Sequence, residues 1–156
     1  MKNFKRTLTL VAAFLVAGAL LTGCATQVKQ AEATNPRVEA AKNAFGPGFD
    51  YMIVESGSRF SDTFFVGLFK SGPSSDLARD LATRLAPAEL KPTRFMVSGA
   101  NAEKTAQIII QALSFHIKDG LPKLELLYLG EQAYVPGIEE AVKRVGGKMR
   151  FAPYPG

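Results

Sequence analysis

Three short apolar runs in the second half of the chain decide its fold: Arg94-Phe95-Met96-Val97-Ser98, Lys123-Leu124-Glu125-Leu126-Leu127-Tyr128-Leu129 and Met149-Arg150-Phe151-Ala152. Each has the length of a strand, and Gly99 and Gly130 close the first two. Between the first pair, Asn101 is placed to cap a helix that runs to about Ile117. Its polar residues Glu103, Lys104, Gln107, Gln111, Ser114 and Lys118 fall in one stripe and leave a wide apolar face, and Gly120 and Pro122 end it. Between the second pair, Pro136 suits the first turn of a helix reaching Val145, with Gly146-Gly147 at its C-terminal cap. Residues 94–152 therefore read β-α-β-α-β. Connections of this length bring parallel strands together through right-handed crossovers, so the predicted fold is α/β, a small, mainly parallel sheet flanked by helices.

Toward the N-terminus the same alternation continues. Leu77, Ala78, Leu81, Ala82 and Leu85 sit at helical spacing after the turn-forming Ser71-Gly72-Pro73-Ser74-Ser75-Asp76, and Pro87 stops the run. Tyr51-Met52-Ile53-Val54 reads as a buried strand. Thr63 to Phe69, rich in aromatic and β-branched residues, is expected as a second strand forming a hairpin with it in the same sheet. Phe64, Phe65 and Phe69 are read as core residues, with an exposed patch that docks a partner as the alternative. A single α/β domain over residues 49–156 is the result.

Composition narrows the function classes. The chain has 156 residues, 47% of them hydrophobic, with one cysteine, one histidine, no tryptophan and a formal net charge of +5. That is the composition of an ordinary globular domain. One cysteine rules out an intramolecular disulfide or a multi-cysteine zinc site, and one histidine rules out any site needing two imidazoles. No metal site and no cofactor is expected. Glu139-Glu140 diverge on their helix, and Asp76 with Asp80 fit a solvated first turn.

The first residues have three parts. Lys2, Lys5 and Arg6 form a basic head, Thr7 to Leu21 is an apolar run too short for a comfortable membrane span, and Leu21-Thr22-Gly23-Cys24 follows. This segment resembles the signal peptide of bacterial lipoproteins, with Leu21-Thr22-Gly23-Cys24 as its lipobox. The resemblance covers residues 1–24 and implies cleavage before Cys24, diacylation of its thiol and acylation of the new N-terminus. Two or three acyl chains would hold the mature protein on a bilayer. Ala25, where an aspartate is absent, implies sorting to the outer membrane of a Gram-negative host, with the domain facing the periplasm. Residues 24–48 are then a lipidated N-terminus and tether, with a short helix possible from Val38 to Ala44. Residues 1–23 carry three of the 19 Lys and Arg and none of the 14 acids, which leaves the mature chain at +2. Its basicity is largely that of the signal, and no Lys/Arg cluster remains to suggest nucleic-acid binding.

Three functional expectations follow. The first is a non-enzymatic binding or structural component of an envelope assembly, with an envelope protein as partner. The second is a small anionic ligand held beyond the carboxyl ends of the strands, where Ser56, Ser58, Arg59, Ser98 and Asn101 should gather. No G-x-G-x-x-G or G-x-x-x-x-G-K-[ST] supports it, and a glycine after a strand is usual for the turn alone. The third is a serine hydrolase using His116. It lacks a G-x-S-x-G elbow, and His116 should lie at the opposite end of the sheet from Ser98.

Overall fold

The apolar runs become strands and the amphipathic stretches become helices, in strict alternation. The structure is a computed structural model and describes residues 35–56 and 75–154. The elements are α1 (Pro36–Phe45), β1 (Asp50–Val54), α2 (Asp76–Leu85), β2 (Thr93–Gly99), α3 (Ala102–Ser114), β3 (Leu124–Gly130), α4 (Val135–Arg144) and β4 (Lys148–Pro153), with 3-10 turns at Ala86–Glu89 and Gln132–Tyr134. All four strands are parallel, in the order β1-β2-β3-β4. The expected α/β fold is thus present. The hairpin partner expected over residues 63–69 lies outside the described residues. No helix among the described residues is long and apolar enough to cross a membrane.

The strand order dictates the layers. Each strand pairs with the next in sequence, so crossovers of one hand must all pass over the same face. The core agrees: Leu81 and Leu85 of α2, Ile108, Ile109 and Leu113 of α3, and Ile138 and Val142 of α4 pack in one cluster. That cluster also holds Met52, Val54, Phe95, Val97, Leu126 and Tyr128, the residues of β1 to β3 that point to that side. The alternate residues Met96, Ser98, Leu127 and Leu129 point to the other face, yet they too are wholly buried. Burial on both faces is why these strands read as continuous apolar runs rather than as alternating ones.

Charged side chains mark one end of this second face. Glu125 lies between Arg94 (3.6 Å) and Arg150 (2.5 Å), brought together by the register of β2, β3 and β4. Both guanidinium groups stand over the ring of Phe45, at 4.7 and 5.7 Å, and they donate to Pro47 O and Ala44 O. The second of two compact units in the chain begins at Ala40. Residues 40–48, expected as the last part of the tether, therefore belong to the packed unit, where Ala41 and Phe45 are buried. In the other unit, Asn35 O accepts from Glu39 N (3.1 Å), and Asn35 Oδ1 accepts from Arg37 N (3.0 Å), which starts α1.

Helix ends follow their local chemistry. Ser75 Oγ accepts from Ala78 N (3.1 Å) at the start of α2, and Asn101 Oδ1 accepts from Lys104 N (2.9 Å) at the start of α3. The α3 helix stops at Ser114, three residues short of the expected Ile117. There Phe115 N and His116 N bond carbonyls three residues back, which tightens the last turn, and Gly120 at φ +76° turns the chain away. Lys104, expected in the solvated stripe, is only 8% exposed. Flanking by α2 and α4 on both sides narrows the open face of this central helix.

Candidate functional site

The carboxyl ends of β1, β2 and β3 gather the expected residues that the structure describes, with the starts of α2 and α3 beside them. Ser98 is wholly buried, and its hydroxyl donates to Leu129 O at 2.9 Å across the sheet. Asn101 is committed to its helix: its side chain caps Lys104 N, and its carbonyl accepts from Thr105 N (3.0 Å) and Thr105 Oγ1 (2.7 Å). Ser56 is exposed just past the end of β1. Ser58 and Arg59 lie outside the described residues, as do Cys24 and the whole lipobox.

Two glycines show how full this edge is. A Cβ on Gly99 would stand 2.2 Å from Thr105 Oγ1 and 2.9 Å from both Val54 O and Val54 Cβ. A Cβ on Gly130 would stand 2.4 Å from the Tyr128 ring and from its hydroxyl. Neither glycine has a positive φ, so what each supplies is space rather than an unusual turn. Tyr128 folds along its own strand over Gly130 and accepts Glu131 N–H at 3.2 Å. Among the described residues, the buried cation at this edge is Lys104, which donates to Glu55 O at 3.1 Å and so ties the end of β1 to α3. The parallel order also lacks a reversal among the described strands, and reversals are where crevices open in such sheets.

Among the described residues, three carboxylates and the buried Lys104 stand at this edge. Glu55, Glu103 and Glu131 flank it, and two phenols register the charges of Glu103 and Glu131. Burial pushes the Tyr128 hydroxyl above the ordinary tyrosine range; the Glu131 N–H pulls it back down and the Glu131 charge adds to the rise. For Tyr134 the rise comes from desolvation first, then from the charges of Glu103 and Glu131. An anion brought here meets carboxylates, while the hydroxyl and amide side chains of Ser98 and Asn101 already hold partners.

His116 sits at the other end of the molecule from Ser98. Its Nε2 donates to Ala82 O (2.9 Å), and its Nδ1 lies 3.5 Å from Glu89 Oε1. The imidazole thus clamps the end of α3 to α2 and to the turn after it. A shallow open cleft of about 380 Å³ runs beside it, lined by Arg79, Ala82, Thr83, Ala86 and Phe115. The one hydroxyl in that lining, Thr83 Oγ1, donates to Arg79 O at 2.9 Å. Asp76 and Asp80 pair with Arg79 and Arg84, and Glu139 and Glu140 pair with Lys143 and Arg144, all near the surface. No cluster of three His, Cys, Asp or Glu suited to a metal occurs among the described residues.

Sequence reasoning did not anticipate Lys104, Thr105 and Tyr128 at the strand ends. Lys104 was hidden by its place in a polar stripe, whereas the glycines two residues beyond Val97 and Tyr128 were visible and were read as turn residues. No protein-family model, no curated protein and no solved structure matches the chain.

Proposed function

We propose that this chain is a membrane-anchored lipoprotein of the bacterial cell envelope, held by acylated Cys24, and that its α/β domain is a non-enzymatic binding or structural component of an envelope assembly. One observation carries the reading: a basic head, a short apolar run and Leu21-Thr22-Gly23-Cys24 occur in that order, with no acid before Glu32. Cys24 carries the only thiol in the chain, which is the group that thioether lipidation needs. Ala25 directs the product to the outer membrane in a Gram-negative host. What supports the non-enzymatic half is the way the chemical groups are used: Ser98 and His116 bond backbone carbonyls at opposite ends of the sheet.

The test is made on the full chain expressed in a Gram-negative host with a palmitate label. The expected product begins at Cys24, carries the label and sediments with outer membranes. Cys24→Ser should leave an unlabelled, uncut precursor, and Ala25→Asp should hold the labelled product at the inner membrane. A Cys24→Ser chain that is still cut and still membrane-bound overturns the reading. For the assembly, crosslinking in native membranes should recover an envelope protein; a monomer with no crosslinked partner counts against that half.

A further inference from the structure

The amino-terminal edge of the sheet carries a surface that the lipoprotein reading does not use. Its loops are stitched together by backbone bonds: Lys123 N donates to Ala88 O (3.1 Å), Thr93 N to Lys123 O (3.0 Å), Gly120 N to His116 O (2.8 Å) and Leu121 N to Val145 O (2.6 Å). The contact of His116 with Glu89 fixes the turn before Leu90 against the turn before Ile117. With the backbone satisfied from within, the side chains turn outward. Leu90 is 82% exposed and Ile117 54% exposed; their chain neighbours Lys91 and Lys118 are exposed, as are Lys123 and, at the start of β4, Lys148. Lys123 Nζ bonds Leu90 O, which holds one cation directly beside the most exposed leucine. No ion pair among the described residues engages Lys91, Lys118 or Lys148. The acids among the described residues on this edge are Asp50, Asp119, Glu125, which is held between Arg94 and Arg150, and Glu89, which is turned to His116.

We infer that this edge is a docking surface for an anionic phospholipid bilayer. Branched apolar side chains at the tips of rigid loops, ringed by lysines, match the two layers of such a surface, phosphate charge outside and acyl chain beneath. The opposite edge, with Glu55, Glu103 and Glu131, is repelled by the same charge. The inference deepens the membrane-anchored reading and rests on it for its setting: the acyl chains hold the protein at the bilayer, and this edge turns the domain toward it. A cluster of lysines also explains selectivity, since each one near an anionic surface favours binding about fivefold, and salt screens the attraction.

The chain has no tryptophan, so a single introduced indole reports on its own position. Full-length chains carrying Leu90→Trp, Ile117→Trp or Leu77→Trp are mixed with phosphatidylglycerol-containing vesicles whose acyl chains are brominated. Leu77, 39% exposed in the first turn of α2 beside Asp76, serves as the control at the other edge. The expected result is a blue shift and quenching at positions 90 and 117 but not at 77. The signal should be lost with purely zwitterionic brominated vesicles, at high salt, and in chains that also carry Lys91→Glu and Lys118→Glu. Equal behaviour at all three positions, quenched or not, overturns the inference. Flotation of the same samples reads the anchor separately: chains that float while positions 90 and 117 stay unquenched end this inference and leave the anchor standing. Quenching at both positions in a Cys24→Ser chain supports it without any anchor.

Discussion

The two edges of the sheet are built from similar residues and end in opposite states. At the carboxyl edge the polar atoms turn inward: Ser98 to Leu129 O, Asn101 to Lys104 N, Lys104 to Glu55 O. At the amino edge the backbone satisfies itself, and the lysines and Leu90 turn out. Topology accounts for part of the difference. Because every strand runs the same way, α2, α3 and α4 all begin at the carboxyl edge and end at the amino edge. Their exposed N–H groups call for caps and acids at one edge, which Ser75, Asn101, Asp76 and Glu103 supply. Their exposed carbonyls favour cations at the other, and Arg84, Lys143 and Arg144 stand there. The charge asymmetry is thus partly the sum of helix dipoles. The exposed leucine and isoleucine are not explained that way.

The largest effect that would break the comparison lies at the carboxyl edge. If that edge is closed by close packing, Gly99→Ala forces Thr105 and the β1 backbone apart, and one of its walls, Val54 O, is main chain that cannot rotate away. A loss of about 3 kcal/mol is expected, at the upper end of overpacking, read as a lower urea midpoint with an unchanged slope. Gly130→Ala should cost less, because its wall is the Tyr128 side chain. If Gly99→Ala is neutral, the edge has slack, and a ligand crevice there returns to consideration.

At the amino edge the corresponding test is His116→Ala. It removes a buried ring and its bond to Ala82 O, although Ala82 O keeps the Ala86 N–H of its own helix. The expected loss is about 2 kcal/mol by the same measurement. A loss this size with Ser98→Ala costing about 1 kcal/mol marks both groups as structural. The two edges then share a buried polar group that holds the fold and differ in what they present outward.

Much of this architecture was legible in the chain. The apolar runs, the Asn101 cap, Pro87, Pro136 and Gly146 place the described strands and most helix ends within one or two residues. What could not be read were relations across the sheet. The Arg94–Glu125–Arg150 contact depends on the register of three strands far apart in sequence. The docking of Phe45 depends on those two arginines meeting it, while the segment around it is mostly polar and gives little apolar periodicity. Gly99 and Gly130 were visible as strand-ending glycines, but their role comes from Thr105 and Tyr128, whose side chains approach only in the folded state. At the strand ends the sequence shows Ser98 and Asn101 as polar residues, but not that Leu129 O and Lys104 N already engage them.

A smaller test uses Tyr128 to sharpen the contrast in field. Burial raises its phenol pKa in the folded state, so the fold favours the neutral form. The stability it contributes is fully present below the ordinary tyrosine pKa. It is lost as pH rises through the raised folded value, because the unfolded chain gives up its proton first. Tyr128→Phe should cost about 1 kcal/mol near neutral pH, where it loses the bond from Glu131 N–H. Its stability should then decline less steeply than that of the parent chain above pH 10. An unchanged alkaline slope would mean that the carboxyl edge is wetter and less negative than its geometry implies.

The smallest expected effect decides what the amino edge is for. A leucine that is 82% exposed contributes little to the folded state, since water already covers it. Leu90→Ser should therefore shift stability by no more than about 0.5 kcal/mol, as should Ile117→Ser. Both loops are held by backbone bonds that these substitutions leave in place. If either change costs 2 kcal/mol, the residue serves the fold, and the outward apolar tips need no further account. If both are neutral, the fold does not need these branched apolar side chains beside Lys91 and Lys118, and the vesicle-quenching contrast between positions 90, 117 and 77 becomes the measurement that assigns them.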